Sequence, residues 1–211
     1  MNKILCIIAL LLLNISLLSC STANQEPVFQ VTPSELFTGD SLKFKSFIEN
    51  AGAVKVQYRG EKESIRLLAE VWVNGELKEI HPQMGGFLTK ETKDGLRAWN
   101  GEAIISIDKS ENDEGYSQYT TKSVFYEESG QVSYGYTFNA DEVHTAFGDI
   151  PLHQEQSVSP EEGEVAIWGL QATNLKTLHT MDFSPEQLKL TDWAVIFKLA
   201  ATEADALDGE Q

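Results

Sequence analysis

Apolar residues in this chain recur at every second position, and that spacing limits the fold more than any other feature of the sequence. A repeat of two places alternate side chains on opposite faces of an extended strand, whereas a helix needs spacings of three and four. Leu42, Phe44, Ser46 and Ile48 alternate with Lys43, Lys45 and Phe47. Val54, Val56 and Tyr58 alternate with Lys55 and Gln57. Ile65, Leu67, Ala69, Val71 and Val73 line one face of a longer strand, and Arg66, Leu68, Glu70 and Trp72 line the other. Asn74-Gly75 follows at once. Both residue types accept the positive φ of a two-residue hairpin, so residues 77–81 are expected to return antiparallel. Ile104, Ile105 and Ile107 mark a further strand. Segments 119–126 and 132–138 flank Glu128-Ser129-Gly130 as a second hairpin, with Val132, Tyr134, Tyr136 and Phe138 sharing a face. Segments 165–170 and 193–199 are apolar enough to be central strands. Helical signals are short. Thr32-Pro33-Ser34-Glu35 and Ser184-Pro185-Glu186-Gln187 each read as a capping box with proline at the first helical position, opening one or two turns. The expected fold class is all-β, an antiparallel β-sandwich of roughly eight or nine strands with one to three very short helices.

The start of the chain follows a different rule. Met1-Asn2-Lys3 is a short basic opening, residues 4–13 are almost unbroken in apolarity, and Ile15 to Leu18 resume the run after Asn14. A spanning helix needs about 20 apolar residues and a basic stop-transfer flank. The next basic residue after Lys3 is Lys43, so the run has the composition of a signal peptide. It ends in Leu17-Leu18-Ser19-Cys20. This resembles the lipobox of bacterial lipoproteins: an aliphatic residue at −3, a small one at −1, then the cysteine. The resemblance implies that residues 1–19 are removed, that Cys20 is lipidated and becomes the N-terminus, and that acyl chains such as palmitate hold the protein to a membrane, facing outside the cytoplasm. Two chains make such anchoring stable. Residues 20–27 then form a polar tether, 28–202 a single β-sandwich domain, and 203–211 an acidic tail that frays. An ordinary peptidase site near Ala23 is the blander reading of the leader.

With Cys6 in the leader and Cys20 lipidated, no cysteine remains for a disulfide, a thiolate ligand or a nucleophile. The domain must be held by its core, and a domain of this size buries roughly 70% of its unfolded surface. Acids number 32 against 16 bases, for a net charge of −16. Such a chain is repelled by nucleic acid and by anionic head groups, so no nucleic-acid partner is expected.

Candidate chemistry is sparse. The segment 139–163 is long for a connection. It carries His144, Asp149 and His153, with Asp141, Glu142 and Glu155 nearby. These are zinc or calcium ligand types, but their spacing matches no ligand motif. Residues 141–147 read as a short helix closed by Gly148. Residues 108–115 are acidic without the spacing of a calcium loop and read as a turn between strands. Trp72, Trp168 and Trp193 fall within strands and suit packing. Trp99, in the segment 97–101 between strands, is either an exposed aromatic of a binding loop or a plug over one end of the sandwich, and its apolar area favours the plug. No nucleophile elbow, phosphate loop or dinucleotide glycine pattern is present. The pairs Glu61 with Glu63 and Glu127 with Glu128 would serve glycosidase chemistry only at a fixed separation across a cleft. No catalytic residue is assigned and no cofactor is expected. The functional expectation is a non-catalytic binding module whose partners are the membrane, through Cys20, and another envelope protein or polymer. An envelope hydrolase using acidic residues is the alternative. Cys20→Ala should lose its lipid and leave the membrane fraction on cell fractionation. Retention of the variant there would instead mark the leader as an uncleaved anchor.

Overall fold

The computed structural model of the chain describes residues 26–48, 50–111, 117–140, 144–161, 163–175 and 177–204. The leader, Cys20 and most of the tether lie outside the described residues, as do residues 112–116, Asp141, Glu142 and the tail from 205 onward. Two antiparallel sheets pack face to face. The first runs in the order β11 (Gln156–Val158), β1 (Val28–Ser34), β2 (Ala51–Gly60), β7 (Arg97–Glu111), β8 (Ser117–Glu127) and β9 (Gly130–Ala140), with β6 (Lys90–Glu91) beside the start of β7. The second runs β10 (Ala146–Pro151), β12 (Glu164–Thr173), β13 (Trp193–Thr202), β3 (Ser64–Val73) and β4 (Glu76–His81), with β5 (Gly86–Leu88) beside the start of β3. The sandwich expected from the alternation is observed. Its strands outnumber the eight or nine expected because β5, β6, β10 and β11 are too short or too irregular to show a period of two.

Both hairpins form. Asn74 and Gly75 adopt φ of 50° and 75° and join β3 to β4. Glu128 and Ser129 join β8 to β9, with Glu127 opposite Gly130. The inner faces meet in one core that includes Phe29, Val56, Leu67, Ile105, Ile167 and Phe197. Trp193 stacks on Tyr119 across the sheets, with ring centroids 4.7 Å apart. A register shift between Ala166 and Trp168 lets Ile167 and Trp168 both face inward, as a bulge does. Trp168 then lies so close over Gly52 that a Cβ there would come within 2.2 Å of the indole. A second, smaller cluster explains why β12 and β13 are apolar on both faces. Ala194 and Ile196 on the outer face of β13 pack with Ile150, Met181 and Leu188. Leu188 belongs to α1 (Pro185–Leu188), which Ser184 caps by accepting from the Gln187 amide at 3.4 Å.

Five local expectations fail, each because pairing in space overrides a local signal. Thr32, Pro33 and Ser34 open no helix; they pair with Lys55, Val54 and Ala53 at the end of β1. Phe29 and Val31 are fully buried by that strand, and β11 stops at Val31, so Pro33 faces no second ladder there. Residues 42–48 form no strand. Because β1 pairs directly with β2, the connection between them has no sheet position to fill, and a 3-10 helix (Gly39–Phe47) forms instead. The Thr38 amide donates to Ser41 Oγ at 2.8 Å at its start. Ala146 and Phe147 are strand rather than helix, since β10 finds the free edge of β12. Residues 108–111 and 97–101 are strand rather than turn or loop, because β7 runs unbroken from Arg97 to Glu111 against β2 and β8.

Leu67→Ala and Phe197→Ala should each lower the unfolding free energy by about 2–5 kcal/mol in urea titrations, the usual cost of a core cavity. Leu77→Ala, on exposed β4, should stay within about 0.5 kcal/mol.

Candidate functional site

The structure separates the residues that the sequence suggested as ligands. His144 is buried, its ring 6.1 Å from that of Trp193, and its carbonyl accepts from Lys109 Nζ at 2.9 Å. Asp149 lies on β10, and His153 is exposed two residues beyond that strand. Among the described residues no group of three or more His, Cys, Asp or Glu side chains is placed to hold a metal ion. Trp99 is buried and stacked on Phe87, with centroids 3.9 Å apart, at the start of β7.

Asp149 instead borders a cavity of about 510 Å³ between the β1–β2 connection and β12. Leu36, Phe37, Ile48 and Trp168 supply its apolar wall, and Glu35 and Lys45 its other charges. Desolvation by these walls lifts the Asp149 pKa from the ordinary 3.8 to about 6, against the opposing pull of Lys45. No sequence motif points to this pocket, because its residues come from three distant segments that only the sheet order brings together.

A second feature lies at the sheet edges. An edge strand presents unpaired backbone groups, and folded proteins blunt it with charge, proline, bulges or brevity. The second sheet follows this rule on both sides. β4 carries Glu76, Lys78 and Glu79, and β10 carries Asp149 and Pro151. In the first sheet, β11 has only three residues. β9 has none of these protections. It pairs with β8 over eleven residues without a register shift, contains no charged residue and no proline, and meets no strand on its far side among the described residues. Residues 130–135 are all exposed. Beside it, the Tyr134 ring lies against Gly85, whose φ of +129° and missing Cβ make room for it. Tyr136 hydroxyl is 3.2 Å from His81 Nδ1. Met84, Gly85 and Gly86 line a small hollow of about 170 Å³ with Tyr134 and Tyr136. The alternation of 132–138 was visible in the sequence, but its position at an edge was not.

No family model, no curated protein and no solved structure matches the chain.

The raised Asp149 pKa has a consequence for stability. The folded protein binds this proton more tightly than the unfolded chain does, so the associated stability is present below about pH 3.8 and is lost as pH rises through about 6. Asp149→Asn should remove that dependence. Urea midpoints measured from pH 3.5 to 7.5 should show the parent losing ground to the variant between these limits, and the variant ahead above pH 6. Parallel curves would show that Asp149 titrates alike in both states.

Proposed function

We propose that this chain is a lipid-anchored protein of the bacterial envelope, held by Cys20 and facing away from the cytoplasm. Its sandwich acts as a non-catalytic module that takes up an extended segment of another envelope protein. The β9 edge carries this reading. In strand addition, main-chain hydrogen bonds supply affinity and pockets for alternate side chains supply specificity. β9 offers eleven residues of open ladder, and the row Val132, Tyr134, Tyr136 lies on one side of it. The hollow beside Tyr134 has room for one partner side chain. A segment of a different protein fits better than a second copy, because each copy carries a net charge of −16 and repels its like.

One observation favours an envelope hydrolase as the second reading. A carboxyl with a pKa near 6 in a pocket has the protonation behaviour of a general acid. The two readings use opposite edges of the sandwich and separate experimentally.

A photo-crosslinking side chain placed at Ser133 or Thr137, both exposed on β9, should yield a discrete adduct with another protein in intact membranes. The same group at Lys78 on β4 should not. The double variant Ser133→Lys/Thr137→Lys, with an unchanged melting temperature, should abolish a crosslink made from Gln131. Absence of adducts from β9, or equal yield from β4, would remove the basis for this reading.

A further inference from the structure

The 3-10 helix between β1 and β2 is anomalous in a domain that must be stabilised by burial. None of its residues is buried. Leu42 is 57%, Phe44 52% and Phe47 82% exposed, and Ile48, just beyond the helix, is 38% exposed. Four large apolar side chains within seven residues keep between 38% and 82% of their surface in water, although Ile48 also lines the cavity beside Asp149. Lys43 and Lys45 lie among these side chains, between Asp40 in the first turn of the helix and Glu49 after it in the sequence, so the segment is balanced in charge where the whole chain has two acids for every base. Lys43 Nζ sits 5.3 Å from the centre of the Phe44 ring, so cation and apolar surface are presented together.

From these features we infer that the helix is a membrane-contacting element, its phenylalanines entering the interface and Lys43 meeting anionic head groups. This inference rests on the lipid anchor at Cys20. Apolar side chains flanked by lysines are what an interfacial segment presents to a bilayer, and each lysine near an anionic surface adds attraction. The chain length allows it. Seven residues, 21–27, join Cys20 to β1 and reach at most about 25 Å. β1 itself spans about 23 Å, and the helix begins five residues past its end. With β1 laid along the bilayer, the anchor and the helix meet the same surface at the two ends of one strand. The overall charge of −16 does not forbid this, because salt screens charges farther than about 10 Å from the lipid. A second copy is a poorer occupant, since a symmetric contact through this helix would set lysines against lysines.

The test uses the full lipidated protein in phosphatidylcholine vesicles, with and without one quarter phosphatidylglycerol. An environment-sensitive dye is attached at Ser46→Cys, with Thr137→Cys on β9 as the control position. The Ser46 dye should shift to the blue and be quenched by a quencher carried on the lipid, and the Thr137 dye should not. Phe44→Ser/Phe47→Ser should abolish the quenching without changing the melting temperature, because both rings are exposed. Lys43→Gln should reduce the docked-to-undocked ratio on anionic vesicles roughly five-fold and leave it unchanged on neutral ones. If the protein floats with the vesicles while the Ser46 dye stays as wet as the control, the helix proposal fails and the anchor stands. A blue shift without lipid quenching would assign the surface to another copy and also overturns it. If the protein does not float, or if the dye labels Cys20 in the parent, the anchor itself fails and takes this proposal with it.

Discussion

Apolar contact between the two sheets is the interaction on which everything else here depends. The described domain contains no cysteine, so no covalent bridge shares the work. The load falls on the interior between β2, β7 and β8 on one side and β12, β13 and β3 on the other. Aromatic residues tie the layers together: Trp193 on Tyr119 and Trp99 on Phe87. Burial of this kind is proportional to the area removed from water and needs no particular partner. That is why a simple alternation of apolar residues is enough to specify it.

Charge is arranged around this core rather than within it. Glu70 and Lys198 form an ion pair on the outer face of the second sheet, next to the second apolar cluster. Arg59 and Asp94 close the end near β6, where hydrogen bonds from Thr92 first and Arg59 second hold Asp94 at about 2. The surplus of acids over bases keeps the surface soluble and discourages self-association. Against that background two surfaces stand out for what they lack. β9 lacks charge on an open ladder, and the 3-10 helix lacks burial. They occur on different elements, so a domain could meet a protein with one and a bilayer with the other.

Much of the fold was legible in the sequence because hairpins are local. Asn74-Gly75 and Glu128-Ser129-Gly130 set two turns within a few residues, and Ser184 with Pro185 set the one α-helical turn among the described residues. Residues 42–48 show the limit of this reasoning. Their alternation is as regular as that of β2, yet they form no strand, because β1 and β2 already pair with each other. Thr32 to Glu35 shows the converse, where a good capping sequence lost to the ladder that buries Phe29 and Val31. A period of two records that a segment suits a sheet; it does not record whether a neighbour is available.

The candidate sites were less legible for the same reason. The sequence by itself determined the class of fold, the two hairpins, the apolar centre of the second sheet and the acidic surface, because these follow from side-chain chemistry and nearest neighbours along the chain. Only the tertiary structure decided that His144, Asp149 and His153 form no metal cluster, that Asp149 borders a cavity with Lys45 and Trp168, that Trp99 is interior and that β9 is an edge. These depend on which distant strands lie side by side, and strand order is set by the global fit of one buried interface, which no local window of residues contains.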